Sequence, residues 1–210
     1  MSDVAARVEH HYGRGNVLAR LTAALREAGI NPDKFDYAEL WRFDQLHTRG
    51  IAATREHAER GKLAAGMHVL DLGCGIGGSS RYLAGALGCR VTGIDLTPEY
   101  VEVARELTRR CGLDRLIEYK VSDATALPFA AASFDHVYSH NVTMNIQNKR
   151  GLAAEVARVL RAGGVFSCSE LGRGETGEVT YPVPWASDAG RAFWRGRPRC
   201  ARRSRPAACG

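Results

Sequence analysis

No stretch of this chain approaches the roughly 20 consecutive apolar residues that a membrane-spanning helix needs. Its beginning, Met1 to Tyr12, is charged where a secretion signal would be apolar. The six cysteines form no CxxC pair and are too sparse for a small disulfide-stapled scaffold, and four of them read as small, reduced interior residues. These absences make a cytoplasmic protein with no membrane partner the expectation. No acidic residue follows position 190, where Arg191, Arg195, Arg197, Arg199, Arg202, Arg203 and Arg205 stand. Those seven account for the whole of the formal charge of +6, because without them 22 basic residues face 23 acidic ones. The high isoelectric point is therefore a property of the tail, and no nucleic-acid partner is expected of the rest.

What is present is the material of one α/β domain with a modest appendage: 210 residues, 45% of them hydrophobic. Val17, Leu18, Leu21, Ala24, Leu25 and Ala28 recur at helical spacing, and Gly29 with Asn31-Pro32 ends that run. A second helix is predicted from about Ile51 to Gly61. From Met67 onward short apolar runs alternate with amphipathic segments, the pattern of βαβ units and a parallel sheet. Five strands are predicted: Met67 to Leu72, Arg90 to Asp95, Leu116 to Ser122, Phe134 to Ser139, and Gly164 to Glu170. Between them Leu83, Ala84 and Leu87 share a face before Gly88, and Val101, Ala104, Leu107 and Cys111 do so before Gly112. Leu152, Ala153, Val156, Val159 and Leu160 form a core-facing helix feeding the fifth strand.

The first strand runs into Asp71-Leu72-Gly73-Cys74-Gly75-Ile76-Gly77-Gly78, a turn without side chains where a ligand must approach the backbone. Gly73, Gly75 and Gly78 also satisfy the dinucleotide pattern GxGxxG. Asp95, ending the second strand, suits a ribose in either case, or serves as an N-terminal carboxylate beside Thr97 and Pro98, which read as N-cap and N1. A further carboxylate, Asp123, ends the third strand and is followed by Leu127-Pro128-Phe129; it is either a ligand contact or a turn carboxylate. Cys74 reads as packing, since nothing beside it promises a thiolate.

VLDLGCGIGG, GIDLTPEYVEVA, VSDATALPFAAASFDHVYSHNV and EVARVLRAGGVF stand in the order and spacing of class I S-adenosylmethionine-dependent methyltransferases. The chain resembles most the sarcosine/dimethylglycine N-methyltransferase-like proteins, through FDQLHTRG, HNVTMNIQNK and YPVPWA, over roughly residues 8 to 190. The resemblance implies a Rossmann-like sheet, a helical cap or lid over residues 1–62, a cofactor-binding domain over 63–190, and an irregular tail over 191–210. It implies S-adenosylmethionine as methyl donor, no metal, and a small-molecule acceptor, an amine first and a carbon or oxygen nucleophile second. Gly73, Gly75 and Gly77 would admit the methionine part of the donor and Asp71 its ammonium group. Asp95 would take the ribose hydroxyls, with Leu96 against adenine, while Asp123 and the Ala124 amide would bond the base. His140 would face the point where donor and acceptor meet, as backbone contact, general base or packing. Tyr12, Gln45, His47, Asn141 and Asn145 are candidate acceptor contacts.

Such proteins have seven strands, ordered 3-2-1-4-5-7-6, and this chain supplies five. Strands six and seven are expected to be missing, the tail to be an out-of-frame or truncated ending, and Val165 and Phe166 to sit exposed on an edge strand. A chain that binds the donor with little activity is the reading that follows from such an ending. The other reading of the tail, a basic arm for nucleic acid or an anionic surface, lacks interleaved aromatics beyond Trp194.

Overall fold

The computed structural model describes residues 15–171 together with Thr180 and Tyr181. Tyr12, the Arg-rich tail and all of YPVPWA except Tyr181 lie outside the described residues.

Five parallel strands form one sheet in the order β3-β2-β1-β4-β5: β1 His68–Leu72, β2 Arg90–Asp95, β3 Ile117–Val121, β4 Phe134–His140 and β5 Leu160–Ser169. Helices α4 (Gly78–Leu87), α5 (Pro98–Arg110) and α6 (Lys149–Val159) occur in the connections, as the alternating pattern requires. Ahead of the sheet come α1 (Val17–Glu27), a 3-10 turn (Tyr37–Leu40), the single-turn α2 (Trp41–Asp44) and α3 (Gly50–Arg60). Among the described residues no helix is long and apolar enough to cross a membrane.

The period of two along β1 divides the core. Val69 joins Tyr82, Leu83 and Ala84 of α4 and Val101 and Ala104 of α5 on one face, while Leu70 and Leu72 join Leu152, Val156 and Val159 of α6 on the other. With both faces covered, the strands read as nearly continuous apolar runs. Leu21 and Leu25 of α1 pack with Val103 and Leu107 of α5, so the N-terminal helix rests on the Rossmann-like unit. Its ends are fixed by distant and local bonds. Glu99 accepts the amides of Gly15 (3.0 Å) and Val17 (2.9 Å), and Gly29 and Ile30 close a Schellman turn by donating to Arg26 and Leu25.

The fifth strand differs from expectation at its start. It begins at Leu160, directly after α6, and the register jumps from Phe134↔Leu160 to His136↔Val165. The intervening Arg161–Gly164 segment turns through Gly163 at φ 80°, which glycine adopts without strain, so a helix ending and a strand beginning share the residues that read as helix alone. β5 is an edge strand among the described residues, with Val165 47% and Phe166 39% exposed. The Leu127-Pro128-Phe129 motif proves to be a clamp point: Glu155 accepts the Leu127 amide, and Arg158 donates to the carbonyls of Leu127 and Phe129.

Sequential strands run outward from β1 in one direction and from β4 in the other. The connections leaving the carboxyl ends of β1 and β4 thus cross to opposite faces of the sheet, and a crevice opens between them where open α/β sheets bind ligands.

Candidate active site

A cavity of about 440 Å3 opens at those strand ends, within the size range of small-molecule sites. Asp71, Gly73, Gly75, Asp95, Leu96, Asp123, Ala124, His140, His47, Asn141 and Asn145 all line it. Gly77 and Gln45 are not among the residues that line it. Gly77, at φ 86°, is the N-cap of α4, and a Cβ there would meet Tyr119 Oη at 2.5 Å and Arg81 Nη1 at 2.8 Å. Gln45 is occupied by Asp44 and Thr54 instead.

The glycine-rich loop is held from β2. The amides of Gly73 and Cys74 both donate to the Ile94 carbonyl at 2.8 Å, and Asp95 Oδ2 accepts the Gly75 amide at 2.9 Å. Asp95 Oδ1 accepts the Thr97 amide at 2.9 Å, so the α5 N-terminus is bonded by Asp95 and not by the Thr97 side chain, although Thr97 and Pro98 do occupy N-cap and N1. The loop-bracing and ligand roles are compatible, because each carboxylate oxygen keeps a lone pair for a hydroxyl. Asp123 likewise closes a local turn, its Oδ1 accepting from the Thr125 amide and hydroxyl at 2.8 Å each.

Charge in the cavity is of one sign. Among the described lining residues Asp71, Asp95 and Asp123 bring carboxylates and none is Lys or Arg, while the carboxylate of Asp44, which also lines the cavity, is sealed against Arg81. Asp71 is 2% exposed, and burial pushes its carboxyl up to about 7 against the opposing hydrogen bond from Ser80. Burial also raises Asp95, opposed by the Thr97 and Gly75 amides. A cationic ligand would relieve this cost.

The opposite end is built from imidazoles. His47 stacks on His140 with ring centroids 3.8 Å apart, and His57 stacks on Tyr138 at 4.1 Å. Burial, then the neighbouring His47 and His57, lowers His140 to about 3, and burial lowers His47 as well, so the stack is uncharged near neutrality. His57 sits in none of the motifs singled out in the sequence, and Asp44, although part of FDQLHTRG, is not among the site candidates read from it. Among the described residues no three His, Cys, Asp or Glu side chains converge on a point where a metal would sit.

Comparison with known proteins places this geometry. Residues 70–168 match the methyltransferase domain family. A sterol 24-C-methyltransferase of Eremothecium gossypii is 35% identical over 62% of this chain and 35% of its own length. The O-methyltransferase cnsE of Penicillium expansum is 38% identical (58% and 44%), and phosphoethanolamine N-methyltransferase 1 of Zea mays 35% identical (74% and 28%). The chain thus spans less than half the length of each of these relatives. Among solved structures, the Haemonchus contortus phosphoethanolamine N-methyltransferase 2, in complex with phosphomonomethylethanolamine and S-adenosylhomocysteine, has a TM-score of 0.57 at 30% identity, over 61% of this chain and 30% of that one. One described as a sarcosine dimethylglycine methyltransferase from Galdieria sulphuraria has 0.56 at 25% (57% and 46%). The [4+2]-cyclase SpnF has 0.58 at 28% (60% and 46%). A parallel sheet with its cavity at the β1–β4 divergence and carboxylates at three successive strand ends accords with these matches: residues 70–168 form a methyltransferase domain of the class I, S-adenosylmethionine-dependent family.

Proposed function

We propose that this chain binds S-adenosylmethionine in the strand-end cavity and transfers its methyl group to a small molecule, with an amine as acceptor. The observation that carries the donor assignment is the buried Asp71, its carboxyl raised to about 7 by burial, in a cavity that no Lys or Arg lines among the described residues. The donor carries an ammonium and a sulfonium, whereas a dinucleotide would bring a pyrophosphate. Where a pyrophosphate would approach the α4 N-terminus, the Asp44 carbonyl already sits against Gly78.

When bound, S-adenosylmethionine supplies a methyl group already activated on a cationic sulfur, so alignment of the acceptor does most of the catalytic work. Asp71 would face the ammonium, Gly73 and Gly75 would let the chain pass close, and Asp95 would accept from the ribose hydroxyls. Leu96, Asp123 and Ala124 would border the adenine. His47 and His140 flank the remaining space. Their burial keeps both rings unprotonated, so they bring no positive charge beside the acceptor, and the same desolvation disfavours the ammonium form of an amine placed there. The proton carried by the methylated product leaves with it to solvent. Asn141 and Asn145 line the same end and would contact the acceptor.

The relatives act on carbon, oxygen and nitrogen, and the cyclase shows that the fold alone does not set the chemistry. The test is transfer of labelled methyl from S-adenosylmethionine to a panel of secondary and tertiary amines, phenols and carbon acids. Label in the amines supports the reading; label confined to phenols or carbon acids overturns the amine assignment, and none anywhere overturns transfer.

A further inference from the structure

The donor site accounts for the carboxylates at the strand ends but not for the ion pair that lies beside it. Asp44, closing α2, and Arg81, on α4, meet at 2.9 Å with side chains 0% and 1% exposed, the one pair among the described residues sealed from solvent. Attraction within such a pair often fails to exceed its desolvation cost, so stability alone is a poor reason for it.

The other bonds of the two partners supply a reason. Arg81 Nη2 also donates to the Ile76 carbonyl of the glycine-rich loop at 2.9 Å, and Nη1 donates to Thr108 on α5 at 3.2 Å. The second carboxylate oxygen of Asp44 accepts from Gln45 Nε2 at 3.0 Å, which fixes that amide with its oxygen toward Thr54. The Thr54 hydroxyl donates to Gln45 Oε1 at 2.6 Å. Its single proton is then committed, so its 3.0 Å contact with His47 Nε2 has the imidazole N–H as donor. The other tautomer would donate from Nδ1 to the Thr48 carbonyl, but at 3.3 Å that contact is the longer one and would leave two lone pairs facing each other at 3.0 Å between Nε2 and Thr54. The shorter contact therefore sets His47 as the Nε2–H tautomer, and the bond to Thr48 forms only when Nδ1 is also protonated. That same ring stacks on His140 at the cavity wall.

We propose that Asp44–Arg81 is a positioning pair, in which Arg81 shapes the donor loop through Ile76 while Asp44 sets the orientation and tautomer of His47 through Gln45 and Thr54. The proposal rests on the donor-site reading for its first arm only. One carboxylate serves both arms, so the side-chain hydrogen-bond network that links Arg81 and the cofactor loop to His47 runs through it.

The test uses Asp44→Leu/Arg81→Met, which removes both charges together and leaves no orphaned ion, beside Thr54→Val, which cuts only the far arm. Each is measured by S-adenosylhomocysteine titration and by long-range 1H–15N spectra of the His47 ring. In the double variant the account expects a tenfold or greater rise in dissociation constant and loss of the single Nε2–H tautomer. In Thr54→Val it expects affinity within twofold of wild type and the same loss of tautomer. Should the double variant fail to fold, Arg81→Lys, which cannot span Asp44 and Ile76 together, is expected to weaken affinity severalfold. Unchanged affinity in the double variant, or in Arg81→Lys where that stands in for it, overturns the first arm. A His47 tautomer that is mixed in the wild type, or unaltered in Thr54→Val, overturns the second. If wild type itself does not bind, the donor reading and the first arm fail together, while the tautomer spectra still decide the second.

Discussion

Ser80 Oγ donates a 2.5 Å hydrogen bond to Oδ2 of the buried Asp71 carboxylate. Burial raises the Asp71 carboxyl from 3.8 to about 7, so in the ligand-free protein the group holds its proton over much of that window. A cation beside it favours ionisation, and donor binding then expels a proton. The account predicts that affinity for S-adenosylmethionine falls as pH drops below about 7, by up to tenfold per unit. Calorimetry in two buffers of different ionisation enthalpy should show net proton release; in Asp71→Asn the binding should be weaker and lose this linkage.

The buried histidines make stability depend on pH as well. Burial lowers His136 to about 4 and His140 to about 3, against an ordinary value of 6.5. A depressed folded-state value contributes stability that is complete above 6.5 and lost as pH falls through the window down to about 4 and 3. Each group should add up to about 1.4 kcal/mol per pH unit to that loss. Urea unfolding of Asp71→Asn and Asp71→Asn/His140→Asn between pH 7 and 5 isolates one of them. A shallower pH slope in the double variant is expected, and an equal slope contradicts the burial argument.

Left-handed glycines differ in what surrounds them. At Gly112, φ 70°, a Cβ would meet nothing within 4 Å, so Gly112→Ala should cost only the strain of an L-residue there, about 1–2 kcal/mol. At Gly77, φ 86°, the same Cβ would press on Tyr119 and Arg81, both buried. Gly77→Ala should therefore destabilise more than Gly112→Ala in denaturant titration, and should also weaken S-adenosylhomocysteine binding because Arg81 must move. Equal losses at the two positions would count against a packed loop.

The legible part of this molecule is the part written in short-range patterns. The strands, the helices after them and the carboxylates at Asp71, Asp95 and Asp123 follow from apolar periodicity ending at polar turns, and the structure puts those residues on one cavity. The bonds that Gln45 makes to Asp44 and Thr54 are not legible in the sequence, because Thr54 stands nine residues on, in a different helix. Arg81 reads as a polar position on an amphipathic helix; only the fold brings Asp44 to it across 37 residues. The early start of β5 escaped notice because Leu160 continues the helical spacing of Val156 and Val159 while pairing with Phe134. Long-range polar pairing and shared element ends leave no periodic trace in a sequence.

The central claim is a donor site for S-adenosylmethionine at the carboxyl ends of β1, β2 and β3. It is tested most directly by calorimetric titration of the purified chain with S-adenosylhomocysteine, beside NAD and with Asp95→Ala as control. The account predicts micromolar binding of S-adenosylhomocysteine, at least a tenfold loss in Asp95→Ala, and no heat with NAD. Binding of NAD, or no binding of S-adenosylhomocysteine by a folded chain, would contradict it.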